Sequence, residues 1–163
     1  MPPRRALVAA IAVLCSSVAP AAASAAGSPL AAAGLQPGAR GLVQRPREIV
    51  YTGDSSAFVA GRGGSARHPA SLHWTAWAAA QASAPASDWH DNCRPDCASG
   101  SFRAYQAVLR LSRPAMLGGH LVFTRMTVTY TGARPPYPAN RSGSWTASLR
   151  YSAKPDATYF WYF

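Results

Sequence analysis

From residue 47 onward the apolar residues recur with a period of two, not 3.6, so strands are expected whose successive side chains point to opposite faces. Ile49-Val50-Tyr51 is a short apolar run stopped by Gly53-Asp54. In residues 72–77, Leu72, Trp74 and Ala76 share one face and His73, Thr75 and Trp77 the other, so an indole projects from each side. In residues 102–111, Tyr105, Ala107, Leu109 and Leu111 fall together, opposite Gln106 and Arg110. A loop is expected at Pro114 and Gly118-Gly119, before the β-branched and aromatic run 121–130, in which Val122, Thr124, Met126, Val128 and Tyr130 share a face. Residues 145–151 alternate most cleanly, with Trp145, Ala147, Leu149 and Tyr151 inward, and an aromatic run 158–163 ends the chain. Six short strands separated by Gly/Pro turns, without an amphipathic helix of ordinary length, predict an all-β fold: a single small antiparallel sandwich or barrel of about six strands. The terminal Phe163 also suits the last strand of an outer-membrane barrel, but such barrels need at least eight longer strands.

The first 47 residues have a different pattern. Arg4 and Arg5 precede an uninterrupted apolar run over residues 6–15, and Ala23-Ser24-Ala25 fits a small-residue cleavage rule. Residues 1–25 are therefore expected to be a secretory signal peptide; the run is shorter than the ~20 residues a spanning helix needs, so the mature chain is expected to have no stable membrane insertion. Leu14 stands where a lipid-acceptor motif at Cys15 would need a small residue. Residues 26–47 hold Gly27, Pro29, Gly34, Pro37, Gly38, Gly41 and Pro46, which predict a flexible Ala/Gly/Pro linker before a β-domain at 48–163. The expected location is secreted or extracellular, with association to the cell envelope as the alternative.

Charge modifies this picture only slightly. The chain has 163 residues, with 16 Lys and Arg against six acids and a net charge of +10. Losing Arg4 and Arg5 brings it to +8, and the 48–163 segment alone, with 11 basic residues, carries +5. That surplus is too small to argue for nucleic acid as the partner. Arg103, Arg110, Arg125 and Arg150 lie within expected strands, where pairing can gather them on one sheet face as a polyanion site. The competing expectation is a solvated face whose arginine stems cover apolar surface.

The most informative segment is the run from Trp89-His90 through Cys93 and Cys97 to Gly100. Three residues separate the cysteines, unlike the two of a redox centre, and the histidines at 68, 73, 90 and 120 lack the paired spacing of a zinc site. A local Cys93–Cys97 disulfide is expected, with about 2 kcal/mol from closing so small a loop. Its role is either a clip that ends a strand or a preformed recognition loop flanked by Trp89 and His90. Asp88, Asp91 and Asp96 crowd this loop without calcium-loop spacing, so a solvated acidic loop is expected and no metal. The pattern N-C-x-P-x-C-A-x-G over residues 92–100, with Trp74-x-x-Trp77 upstream, resembles a group of small exported actinobacterial proteins of uncharacterised function. The resemblance spans roughly residues 72–131; it implies export and a small disulfide-bearing domain, and it transfers no catalytic residue.

No G-x-S-x-G elbow and no phosphate loop is present, and adjacent His90 and Asp91 would point to opposite faces of a strand. No catalytic residue, cofactor or metal ligand is assigned. Three functional readings follow. The first is a non-enzymatic exported β-domain contacting an envelope polymer or extracellular protein through Trp74, Trp77, Trp89 and His90. The second is a secreted inhibitor presenting loop 88–100 to a partner protein. The third is a small secreted hydrolase using His90 or His120 with an Asp.

Overall fold

A computed structural model describes residues 27–34, 38–136, 143–153 and 158–163. The expected signal peptide lies outside them, as does Asn140-Arg141-Ser142, which has the spacing of a glycosylation sequon. The fold is all-β: a curled antiparallel sheet of eight strands forms a half-barrel, accompanied by a two-stranded pair. The pair is β1 (Ala31–Ala32) with β2 (Leu42–Val43), joined through a 3₁₀ turn at Gly38–Gly41. The main sheet comprises β3 (Glu48–Val50), β4 (Ala57–Ala60), β5 (Ala76–Trp77), β6 (Gln81–Asp91), β7 (Phe102–Leu117), β8 (His120–Tyr130), β9 (Ser144–Ser152) and β10 (Thr158–Tyr162). Its order is β10-β9-β8-β7-β6-β4-β3, with β5 also paired to β6.

The expected alternation in β7, β8 and β9 sets the inner face. Tyr105, Ala107, Leu109, Leu111, Val122, Met126, Val128, Ala147 and Leu149 are buried there. Strand β7 runs through Pro114 to Leu117, beyond the loop expected at Pro114, because β8 continues to pair with it down to Leu117↔His120. Gly118 and Gly119, both at positive φ (56° and 82°), close the two-residue turn. A Cβ on Gly118 would run into the Tyr159 hydroxyl, so this turn also seats the last strand.

Strand β6 is absent from the alternating pattern because its inner positions 82, 84 and 86 are all alanine, a residue without β preference. Small side chains there leave room for Leu109 and Leu111 across the curl. It also tolerates a central Pro85. Ser83 accepts from Thr75 N and Asp91 N donates to Ser56 O, so the odd residues of β6 turn their backbone groups to the β4/β5 flank. β5 pairs with residues 82–83 and β4 with residues 87–90, leaving Pro85 opposite the gap between them. The missing N–H removes no ladder bond. Of the expected strand at 72–77, only Ala76–Trp77 pairs.

Residues 27–34 and 38–47 differ from the expected linker. Ala31 and Ala32 are fully buried and Leu42 nearly so. Leu30 exchanges backbone bonds with Leu121 and Phe123 of β8, Ala33 O accepts from Val50 N of β3, and Trp161 Nε1 of β10 donates to Ala32 O at 3.1 Å. The segment thus bonds to three separated strands across the open side of the half-barrel. Ala31 and Ala32, which read as part of a spacer by composition, are the size that fits against β8 and β10.

Trp161→Phe leaves the Ala32 carbonyl without its donor and thins the packing behind it. The expected loss is about 1–3 kcal/mol in urea unfolding; a wild-type midpoint would show that residues 27–34 do not dock through this strand.

Candidate functional site

Two residues apart on β6, Asp88 and His90 share the inner face, whereas Asp91 points away. Asp88 is completely buried, and its carboxyl accepts from four side chains. Tyr51, just beyond β3, donates its hydroxyl to Oδ1 at 2.7 Å. Oδ2 accepts from the Tyr130 hydroxyl at 2.6 Å, from Trp145 Nε1 at 3.1 Å and from His90 Nε2 at 3.0 Å. With both tyrosine hydroxyls donating to the carboxyl, the imidazole completes the set by donating through Nε2; Tyr51 Oη lies 3.3 Å from the same nitrogen. Trp145 Nε1 also reaches Tyr130 Oη at 3.0 Å. These donors come from the residue after β3 and from β6, β8 and β9, and the rings of Tyr51, Trp145 and Phe163 close over them at centroid distances of 4.8–5.5 Å.

Burial pushes the Tyr130 hydroxyl well above tyrosine's usual value near 10, and the neighbouring Asp88 charge and hydrogen bond push the same way. Burial raises Tyr159 as well. Tyr130 is therefore a fixed hydrogen-bond donor under ordinary conditions.

The exposed edge of this cluster opens into a cleft of about 430 Å³. His90 and Tyr105 lie toward its base, Arg103 is the direct cross-strand neighbour of His90, and Asn92, Arg94 and Ser101 form the loop side. The loop is organised before any ligand arrives. Cys93 and Cys97 are bridged, and the Arg94–Pro95 peptide is cis. Asp91 Oδ1 accepts from Cys93 N at 2.9 Å, Asn92 Oδ1 accepts from Arg94 N and Ser101 N, and Asp96 Oδ1 accepts from Ser99 N at 2.8 Å. Gly100 is required here, since a Cβ would collide with the Asp91 carboxyl.

The structure does not bring the four sequence candidates together. Trp74 and Trp77 meet edge to face at 4.7 Å, Trp74 donates to Pro46 O, and Trp77 packs on Phe123. Both lie near the β5 pairing at Ala82, six residues or about 20 Å along β6 from Asp88. Trp89 faces away from His90 and stacks on Phe58 at 6.0 Å in a separate small cluster. Only His90 belongs to the cleft. The expected solvated acidic loop is corrected as well: Asp88 and Asp91 are buried, and only Asp96 of the three is exposed. No group of metal-binding side chains occurs among the described residues.

Sequence reasoning missed Asp88, Tyr51, Tyr130, Trp145, Arg103 and Tyr105 as one site. The available signal was the Asp88/His90 spacing of two, which puts both on one face of a strand, but residues 81–91 lack the composition of a strand. No protein-family model, curated protein or solved structure matches the chain.

Because folded Tyr130 holds its proton above the pH at which an unfolded tyrosine releases it, its contribution is intact below about pH 10 and declines as pH rises beyond that. The slope reaches at most about 1.4 kcal/mol per pH unit for one tyrosine. Urea unfolding from pH 8 to 11 is expected to show this decline, and Tyr130→Phe to make it shallower; an unchanged slope in the variant contradicts the assignment.

Proposed function

We propose that this chain is an exported, non-enzymatic binding domain that captures an anionic group of an envelope or extracellular ligand in the cleft under the Cys93–Cys97 loop. The observation that carries this reading is the convergence of His90, Arg94 and Arg103 on one cleft. Two guanidinium groups and an imidazole suit a carboxylate or phosphate, and guanidinium forks bind either in two-point fashion. The Asp88 carboxyl does not compete for that role, since it is buried behind His90 and occupied by four donors. A clipped loop in which the amides of Cys93, Arg94, Ser99 and Ser101 are already bonded loses little entropy on binding. Export is supported by the N-terminal Arg4-Arg5, apolar run and Ala23-Ser24-Ala25 pattern, and a disulfide fits an oxidising compartment.

One observation favours a second reading. The His90–Asp88 contact at 3.0 Å is the orienting half of an acid–base pair, and Ser101 lines the same cleft. A hydrolase would depend on Ser101 as nucleophile; activity on simple esters that disappears in Ser101→Ala would favour it. His120, the other histidine considered, packs against Tyr159, away from the Asp88 donors.

Titration with inorganic phosphate and with succinate, followed by backbone amide NMR shifts, tests the binding reading. Saturable shifts are expected over residues 90–105. Arg103→Gln should weaken binding about tenfold or more, the usual cost of one charged hydrogen bond. Replacing both cysteines with serine should weaken it too, by releasing the loop. No saturable shift with either anion, or shifts indifferent to Arg103, would overturn the proposal.

A further inference from the structure

Pairing places the arginines of the central strands in a geometric order on the outer face. Arg110 of β7 lies opposite Thr127 of β8, and Arg125 stands two residues from Thr127 on the same face. Arg125 lies opposite Ser148 of β9, and Arg150 stands two residues beyond Ser148. Each step moves one strand across and two residues along. Arg110, Arg125 and Arg150 therefore form a diagonal stripe with a spacing of about 7–8 Å. Arg113, held at φ 54°, joins the stripe from the side: it lines one shallow hollow with Arg110 and Arg125 and another with Arg125 and Arg150. Arg103, expected on this face, is one residue out of phase and belongs to the inner cleft instead.

The surroundings of the stripe set its preference. Between Asp96 and Asp156 the sequence has no acidic residue, so β7, β8 and β9 contain no carboxylate to pair with these guanidinium groups. Ser112, Thr127, Thr146 and Ser148 flank them, with Thr127 and Thr146 within hydrogen-bond distance at 3.2 Å. The exposed Tyr162 ring lies under Arg150, 5.4 Å from its guanidinium carbon. A row of free aromatic faces, the platform that single-stranded nucleic acid uses, is not part of this stripe.

We infer that the outer face of β7–β9 binds an acidic glycan, an extended sugar chain carrying carboxylate, sulfate or phosphate groups. The guanidinium groups engage successive anionic groups along the chain, and the serine and threonine hydroxyls engage the sugar hydroxyls between them. This surface is separate from the cleft at His90, and its binding does not rest on that reading.

Heparin serves as the probe, with the full chain tested for binding across a salt series. The expected result is saturable binding whose dependence on log salt weakens by about one for each stripe arginine removed, by the counterion-release relation. Arg110→Gln, Arg125→Gln and Arg150→Gln should each weaken binding more than Arg67→Gln, which removes an equal charge from an exposed loop. The corresponding lysine variants, which keep the charge without the fork, should fall between wild type and glutamine. Equal losses in the stripe variants and Arg67→Gln would reduce the effect to net charge and overturn the proposal. Tighter binding of a single-stranded oligonucleotide than of heparin would overturn the glycan assignment.

Discussion

A carboxyl group with no exposure to water is the constraint around which this fold is arranged. Burying Asp88 without partners would cost more than a small domain can supply. Its partners come from the whole width of the sheet: Tyr51 beyond the edge strand β3, His90 on β6, Tyr130 on β8 and Trp145 on β9. Those strands can reach one point only if the sheet curls, so satisfying the carboxyl and curling the sheet are the same requirement. The aromatic contacts of Tyr51 with Trp145 and Phe163 follow from it, since they bring the two ends of the strand order within ring-packing distance. A second closure comes from residues 27–34, whose backbone and Ala32 carbonyl bind β8, β3 and β10.

The same constraint links the core to the surface. His90 faces inward to Asp88 and outward to a cleft, so a buried group fixes the orientation of an accessible one. Arg103 stands beside it through strand pairing, and Arg94 comes from a loop held by a disulfide and four side-chain-to-backbone hydrogen bonds. The outer face has a contrasting character. Its arginines lie on the alternate positions of β7–β9, strands whose sequences contain no carboxylate.

The legible part of the sequence was the part where physics acts locally. β7, β8 and β9 announce themselves through alternation, and the disulfide through spacing. β6 did not, because curl and neighbour size decide its inner residues, so Ala82, Ala84 and Ala86 suit a place that only the assembled sheet defines. Residues 27–34 escape a local reading for a related reason: small residues read as a spacer until a cavity of their size is known. The site depends on pairings between residues 37 to 57 positions apart, such as Tyr51 and Trp145 with Asp88, which no local pattern encodes. His90 was legible as a candidate, but the tryptophans named with it lie on other surfaces.

Asp88 ties the ends of the sheet together. Native-state amide hydrogen exchange, compared between the wild-type chain and Asp88→Asn, tests it most directly. Amides of β3 and β9 are expected to lose protection together in the variant while the β7–β8 hairpin stays protected. Protection unchanged in both strands, or lost in β6 alone, would contradict it.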